Sequence, residues 1–308
     1  MAAFFGKAKK GSFQLFNFST MKKYLSLVTF AHTLFALPFA MVGFFLGLLH
    51  RQESGFPLRE LLLVLLCMVF ARSAAMAFNR YADRHIDSSN PRTSGREIPS
   101  GAISPRAALI FVLASSGLFI LSAWLINPIC FYLSPVALLV VLGYSYTKRF
   151  TPLCHLILGL GLSLAPIGAY LAVTGAFHMI PLLFSGAVIC WVSGFDIIYA
   201  LQDEEFDKTN RLFSIPVAMG RRGALGLSVA LHVLCAGFML AAAWVIPQSL
   251  PEFGWIYRIA TGIFLSMLVY QHLIVSPTNL SRVNRAFFTT NGLASLVFGI
   301  LFILDIYL

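Results

Sequence analysis

The chain alternates between long apolar stretches and short polar segments. Seven stretches contain at most one Asp, Glu, Lys or Arg: 24–50, 61–79, 107–147, 150–195, 223–251, 259–281 and 286–304. A membrane-spanning helix needs about 20 apolar residues, so the two longest stretches can each hold two helices. Turn residues divide these two stretches near Asn127-Pro128 and between Gly175 and His178.

This pattern predicts nine transmembrane helices and no transmembrane strands. The alternation of apolar and polar positions that is typical of a membrane β-barrel is absent from the sequence. The predicted helices lie at 25–49, 58–82, 104–126, 129–147, 152–175, 179–201, 223–246, 255–275 and 286–306. We therefore expect an all-α integral membrane protein, with residues 23–308 in one bundle after a basic cytoplasmic tail at residues 1–22.

The composition supports a protein that is dissolved in lipid. Of 308 residues, 58% are hydrophobic and 11% are charged, and the mean hydropathy is +0.82. Soluble domains carry roughly 25% charged residues, so this chain cannot cover a globular surface with polar groups. A soluble enzyme, a disordered chain and a fibrous repeat are excluded. The five cysteines form no CxxC pair and the seven histidines are scattered, so neither a disulfide framework nor a zinc or haem site is indicated.

The basic residues are concentrated on one side of the predicted bundle. Eighteen of the 22 lie in the N-terminal tail or near the ends of even-numbered helices: Lys7, Lys9, Lys10, Lys22, Lys23, Arg80, Arg84, Arg92, Arg96, Arg106, Lys148, Arg149, Lys208, Arg211, Arg221, Arg222, Arg282 and Arg285. By the positive-inside rule these segments are cytoplasmic and the C-terminus is outside. We expect a multi-pass protein of the cell (inner) membrane. The net charge of +10 reflects this orientation and not a nucleic-acid partner.

Seven of the twelve acidic residues fall in two short windows, which end predicted helices 2 and 6. The windows repeat one spacing, and their equivalent residues are Asn79 with Tyr199, Asp83 with Asp203, and Asp87 with Asp207. Helices 2 and 6 run in the same direction. This repeat predicts one carboxylate pair from each half at the rim of a cavity that faces the cytoplasm.

The paired carboxylates indicate a divalent cation. In each pair the two aspartates are four residues apart, which places them on one face of a helix. Like charges at this spacing repel each other, so two pairs that face one cavity favour a bound cation. Hard oxygen ligands without His or Cys favour Mg²⁺, which commonly shares its coordination shell with substrate phosphates. A single pair of this kind is usually a solvated helix end, whereas two at matched positions indicate a site.

Arg72 lies inside predicted helix 2. At a rise of 1.5 Å per residue it is about 15 Å along the helix from Asp83, too deep for a charge at the membrane rim. Charges at such depth are costly and are often functional. Arg72 is therefore either a structural cation or a receptor for a substrate anion.

Basic residues beside the carboxylates indicate a phosphorylated ligand. Arg92 and Arg96 follow the first window, and Lys148 directly follows predicted helix 4 on the same side of the membrane. Together with Mg²⁺, such side chains can bind a polyphosphate. The sequence contains no glycine-rich phosphate loop, so a nucleotide is not indicated. A diphosphate with a lipid tail in the apolar bundle fits these features.

These motifs resemble those of the UbiA-type intramembrane prenyltransferases. The family's two aspartate motifs are matched by NxxxDxxxD at Asn79, Asp83 and Asp87 and by DxxYxxxDxxxD at Asp196, Tyr199, Asp203 and Asp207. The RTxxRxxPxG segment from Arg92, the end of helix 4 and Arg72 are similar to the 4-hydroxybenzoate-type, quinone-making branch. The segments from His32 and from Asp196 resemble a bacterial subgroup that serves menaquinone synthesis through futalosine.

The resemblance implies transfer of a polyprenyl group from its diphosphate to an aromatic carboxylic acid in ubiquinone or menaquinone biosynthesis. It implies that Mg²⁺ on the diphosphate is held by Asp83, Asp87, Asp203 and Asp207, of which Asp83 and Asp203 are central to catalysis. Substrate contacts are expected from Asn79, Arg92, Arg96, Lys148 and Tyr199. Arg72 is expected to bind the carboxylate of the acceptor, and the resemblance implies that Asp196 removes the ring proton.

Two alternatives stay open at this point. The same chemistry could act on another acceptor, such as haem, a chlorophyll precursor, dihydroxynaphthoate or a futalosine-derived naphthoate. A membrane transporter is the alternative of another class. It would need ionisable groups along a path through the whole membrane, whereas the acidic windows lie at one rim.

Overall fold

The computed structural model describes Leu27 and residues 33–51, 55–251 and 253–308. Within these ranges the long helices are α1 (Thr33–His50), α2 (Leu58–Ser89), α3 (Pro105–Ile126), α4 (Pro128–Thr147), α5 (Cys154–Thr174), α6 (Met179–Ala200), α8 (Ile215–Ser249), α9 (Ile256–Ile274) and α10 (Asn291–Tyr307). Between α6 and α8 lie a 3₁₀ turn (Leu201–Asp203) and the short helix α7 (Glu204–Thr209). The all-α prediction is confirmed. The predicted tail at residues 1–22 and His32 lie outside the described residues.

Seven helical segments of the described chain are long and apolar enough to cross a membrane. They are Leu58–Ser89, Pro105–Ile126, Pro128–Thr147, Cys154–Thr174, Met179–Thr209, Ile215–Ser249 and Arg285–Tyr307. The apolar part of α1, Phe35–His50, is shorter, and α9 is not one of the seven. The chain is thus a multi-pass membrane protein, and crossings by α1 and α9 remain predictions.

The predicted breaks between helices have clear local causes. Asn127 accepts a hydrogen bond from the Cys130 amide at 2.9 Å and so caps α4, with Pro128 in its first turn. Gly175 ends α5 in the left-handed conformation, with a φ of 65°, and its amide donates to the Leu171 carbonyl oxygen. These caps satisfy backbone groups that the helices themselves leave without partners.

Two elements differ from the prediction around the acidic windows. Helix α2 continues to Ser89, seven residues beyond its predicted end, and carries the first window on regular helix. In the second window the helix tightens to a 3₁₀ turn after Ala200. Asp203 therefore lies in the turn and Asp207 on α7, instead of both continuing the face of α6.

Helix α6 is the centre of the bundle. It packs against α5 on one side and α8 on the other, and its Phe184 and Trp191 are fully buried. Phe39, Phe264 and Phe298 surround these rings from α1, α9 and α10 at centroid distances of 5.4–6.5 Å. Because lipid tails are as apolar as these side chains, such close packing is what holds helices together in a membrane. The aromatic core fixes α6 and therefore the residues at its end.

Candidate active site

A cavity of about 240 Å³ lies where α2, α4 and α6 end and α5 begins, on one side of the bundle. Both acidic windows line it, which confirms that the fold brings them together. Its lining includes ten of the eleven predicted site residues: Asn79, Asp83, Asp87, Arg92, Arg96, Lys148, Asp196, Tyr199, Asp203 and Asp207. Arg72 is the exception among the described residues.

Asp83 is buried between two helices that each supply polar partners. Lys148 Nζ lies 2.9 Å from its Oδ2, and Arg149 Nη2 lies 3.0 Å from its Oδ1. Asn79, one turn earlier on α2, donates from Nδ2 to Oδ2 at 3.2 Å. Only 3% of the Asp83 side chain is exposed. A buried carboxylate is stable only when charges and donors compensate for lost hydration, and here the end of α4 provides both charges.

Asp87 has one oxygen paired and the other without a hydrogen-bond partner. Arg96 Nη1 lies 2.7 Å from Oδ1. Oδ2 is buried and no described residue donates to it. A carboxylate oxygen in this state costs free energy unless a ligand or a cation satisfies it. Asp87 therefore has one oxygen left for a further electropositive partner.

Arg92 connects the two windows. Its Nε donates to Asp203 Oδ1 at 2.9 Å, and its Nη2 pairs with Oδ2 of the same carboxylate. Asn90 donates to the same Oδ1 at 3.4 Å. Burial lowers the pKa of Arg92, but the hydrogen bond and charge of Asp203 outweigh it, so the pKa lies above its ordinary value. The bidentate pair fixes the segment after α2 against the end of α6.

Tyr199 orients Arg92 from α6. Its hydroxyl oxygen accepts from Arg92 Nη1 at 3.1 Å, and the guanidinium lies 5.5 Å from the ring centroid. The same ring stacks on Phe287 at a centroid distance of 4.1 Å. Tyr199 thus lines the cavity and supports a basic side chain there, and its contact with substrate stays a prediction.

Asp196 is paired with a residue that the sequence reasoning did not select. His155 Nδ1 lies 2.7 Å from Asp196 Oδ2, and the histidine is buried at the start of α5. An isolated histidine in an apolar stretch is not part of a recognisable sequence motif. Its position in the first turn of α5, just after Lys148 and Arg149, is the one signal that could have indicated it.

Arg72 lies deeper on α2, and its Nε is buried without a hydrogen-bond partner among the described residues. Tyr144 of α4 lies within electrostatic range of Arg72 and also of Asp83 and Asp196. Because Tyr144 lines the cavity, it connects the cavity with Arg72. Tyr144, Asn90 and Arg149 are further site residues that sequence reasoning did not select.

The donor set fits Mg²⁺ bound together with a phosphorylated substrate. No group of three or more His, Cys, Asp and Glu close enough to hold a metal ion occurs in the described chain. Mg²⁺ does not require such a cage, because it usually takes one or two carboxylates and completes its shell with waters and substrate phosphates. The partnerless Oδ2 of Asp87 and the neighbouring Asp83, Asp203 and Asp207 supply such oxygens.

Comparison with known proteins gives one consistent family. A family model described as the UbiA prenyltransferase family matches residues 36–293. A 4-hydroxybenzoate octaprenyltransferase of Nitrosospira multiformis is 32% identical over 250 residues, which cover 80% of this chain and 83% of the relative. A protein of the same name from Tolumonas auensis is 30% identical over 248 residues, covering 80% and 85%.

Solved structures show the same fold. The apo structure of a UbiA homolog from Aeropyrum pernix K1 has a TM-score of 0.78 and 35% identity, and covers 89% of this chain and 98% of its own. A UbiA homolog from Archaeoglobus fulgidus, solved with GPP and Mg²⁺, has a TM-score of 0.70 and 23% identity over 93% of this chain and all of its own. This second likeness concerns the fold alone.

Proposed function

This chain belongs to the UbiA prenyltransferase family, and we propose that it transfers a polyprenyl group from a polyprenyl diphosphate to 4-hydroxybenzoate in quinone biosynthesis. The observation that carries the proposal is the single cavity in which both acidic windows and three basic side chains meet. The relatives named 4-hydroxybenzoate octaprenyltransferase favour this acceptor over naphthoates and haem. A quinone precursor of the menaquinone type remains the second candidate within the same chemistry.

Diphosphate binding is assigned to the rim of the cavity. Asp83, Asp87, Asp203 and Asp207 would hold Mg²⁺, with Asn79 beside Asp83. When bound, the metal would supply positive charge that neutralises the diphosphate as its bond to the allylic carbon breaks. The Archaeoglobus neighbour of this fold was solved with Mg²⁺ and GPP, which agrees with the donor set here.

Arg92, Arg96 and Lys148 are assigned to the departing diphosphate. All three line the cavity and already lie against carboxylates of the two windows. Fixed cations aimed at developing negative charge stabilise a transition state more than a ground state. The electron pair of the C–O bond leaves with the diphosphate, and a carbocation forms on the allylic carbon.

The apolar bundle protects this carbocation. Water would capture it, so transfer requires a site from which water is excluded. Leu158 and Phe206 contribute apolar surface to the cavity, and the helices around it expose large hydrophobic side chains to lipid. The polyprenyl tail would leave sideways into the bilayer.

The acceptor is assigned to the inner part of the cavity. Arg72 would bind its carboxylate below the cavity, near Tyr144, which lines the cavity. The ring carbon beside the phenol hydroxyl attacks the carbocation and forms the new C–C bond. Asp196 would then take the proton from that ring carbon, and the C–H electron pair restores the aromatic ring.

The orientation follows from the distribution of basic residues. We propose that the N-terminus and the cavity face the cytoplasm and that the C-terminus lies outside, in the cell (inner) membrane. Residues 23–308 would form the catalytic unit and residues 1–22 a basic tail.

An acceptor panel tests the proposal. Membranes that contain the protein are incubated with Mg²⁺, radiolabelled polyprenyl diphosphate and, separately, 4-hydroxybenzoate, dihydroxynaphthoate and other aromatic acids. We expect labelled product with 4-hydroxybenzoate above that with every other acid. Preferential labelling of a naphthoate would instead support the second candidate, and no labelled product with any acid would contradict both.

A further inference from the structure

His155 lies at the junction of three elements. It is in the first turn of α5, its Nδ1 lies 2.7 Å from Asp196 Oδ2 on α6, and its Nε2 accepts from the Ile215 amide of α8 at 3.4 Å. Its side chain is only 5% exposed, whereas that of Asp196 is 20% exposed. The carboxylate thus reaches the cavity, and the imidazole supports it from behind.

The two hydrogen bonds of His155 determine where its proton lies. The Ile215 amide is in the first turn of α8, where amides have no partner inside the helix, and it can only donate. Nε2 must therefore offer its lone pair, which places the ring proton on Nδ1. Nδ1–H then donates to Asp196. Through this hydrogen bond the imidazole orients the carboxylate of Asp196.

Contacts between α5 and α6 also fix the backbone near His155. Ser193 of α6 donates from Oγ to the His155 carbonyl oxygen at 3.1 Å. One turn later, Gly159 lets α5 approach α6 so closely that a Cβ at this position would lie 2.6 Å from the Ile189 carbonyl oxygen. The close approach of the two helices sets the distance between His155 and Asp196.

We propose that His155 is the positioning residue of the proton-accepting carboxylate, an inference that rests on the proposed function. By holding Oδ2, it leaves Oδ1 of Asp196, to which no described residue donates, toward the cavity. After the new C–C bond forms, the ring C–H bond breaks, its proton moves to Oδ1 and its electron pair returns to the ring. The proton on His155 Nδ1 stays in place throughout.

In this arrangement one buried side chain orients the catalytic base. Compared with a Ser-His-Asp site, the histidine and the carboxylate exchange roles. In a Ser-His-Asp arrangement a buried carboxylate fixes the tautomer and angle of a histidine. Here a buried histidine, whose tautomer is fixed by a helix N-terminus, fixes the angle of a carboxylate. A misplaced base loses much of the advantage of general base catalysis, which is typically about 10²–10⁴-fold.

The test compares His155→Leu with His155→Gln in full-length protein in membranes, using 4-hydroxybenzoate that is protiated or deuterated beside the hydroxyl. In the wild type we expect breakage of the C–O bond to limit the rate, hence an isotope effect close to unity. For His155→Leu we expect kcat to fall at least tenfold, KM for the polyprenyl diphosphate to stay within twofold, and a clear isotope effect to emerge. For His155→Gln we expect near wild-type behaviour, because its amide can donate to Asp196 and accept from Ile215.

Controls separate the inference from a general loss of stability. His232 is an equally buried histidine that bonds to His272 at 2.8 Å and does not line the cavity. His232→Leu should keep an isotope effect close to unity whatever its stability. If His155→Leu does not accumulate, His155→Asn, whose amide is too short to reach both partners, takes its place with the same expectation.

Two results would overturn the inference. One is a His155→Leu or His155→Asn variant with the kcat and isotope effect of the wild type. The other is a folded His155→Gln variant that is as impaired as His155→Leu. Failure of the wild type to prenylate 4-hydroxybenzoate would contradict the proposed function instead, so the two failures are distinguishable.

Discussion

Arg92 and Asp203 join the two halves of the site. Arg92 follows α2 and the first aspartate motif, Asp203 belongs to the second motif, and the guanidinium binds both carboxylate oxygens. A bidentate pair of this kind fixes orientation as well as distance. The two motifs therefore act as one unit, and a change in either should disturb both.

Replacement of one carboxylate in either motif should abolish transfer. For Asp83→Asn or Asp203→Asn we expect kcat to fall by at least about 100-fold, because each variant removes charge directed at the departing diphosphate. The measurement is labelled product formed per amount of protein in membranes. Glu205→Gln is the matched control, because Glu205 lies between Asp203 and Asp207 but is exposed and does not line the cavity. Full activity of both aspartate variants would remove the basis of the mechanism.

Removal of divalent cations should stop the reaction reversibly. We expect a chelator to abolish product formation and to weaken binding of the polyprenyl diphosphate, because the carboxylate oxygens then repel its phosphates. Added Mg²⁺ should restore both. Binding and turnover are measured on the same membranes, and activity that persists in excess chelator would exclude the assigned metal role.

Arg72→Ala should impair the use of one substrate and leave binding of the other unchanged. We expect use of 4-hydroxybenzoate to be lost while binding of the polyprenyl diphosphate remains, because Arg72 lies below the cavity rim and near Tyr144. Both quantities are measured by titration of each substrate. Arg59→Ala, at the other end of the same helix, is the control and should behave as the wild type. Loss of diphosphate binding in Arg72→Ala would show that the role given to Arg72 is wrong.

Gly159→Ala should destabilise the α5–α6 contact. The added Cβ would lie 2.6 Å from the Ile189 carbonyl oxygen. The shifts that such overpacking forces typically lower the free energy of unfolding by about 1–3 kcal/mol. Gly168→Ala on the same helix meets no atom within 4 Å and should leave stability nearly unchanged. Thermal unfolding in detergent compares the two variants, and equal midpoints would refute the argument.

The sequence allowed much of the site to be predicted because its signals are local and repeated. The matched spacing from Asn79 to Asp87 and from Tyr199 to Asp207 implied one cavity, and both windows line it. Basic residues beside the carboxylates implied a phosphorylated ligand, and in the structure Lys148 lines the same cavity and pairs with Asp83 across two helices. The first window lies on a regular helix, and the second ends α6 at the same cavity, so the matched spacing was informative for both.

The remaining features depend on how the helices pack against one another, and the spacing of residues in the sequence does not determine this packing. The pairing of His155 with Asp196 requires the close approach at Gly159 and the start of α8 at Ile215. The 3₁₀ turn at Leu201–Asp203 could not be read from a spacing that also suits a continuous helix. The count of nine crossings depends on α1 and α9, whose length or apolarity is marginal.

A reconstituted transfer assay shows whether the protein joins its two proposed substrates. The purified protein in liposomes is given Mg²⁺, tritiated polyprenyl diphosphate and carbon-labelled 4-hydroxybenzoate, and the lipid extract is analysed for a product that carries both labels. We expect one doubly labelled ring-prenylated acid, present with the wild-type protein and absent with Asp83→Asn or Asp203→Asn. Absence of a doubly labelled product from folded wild-type protein would show that this transfer is not its reaction.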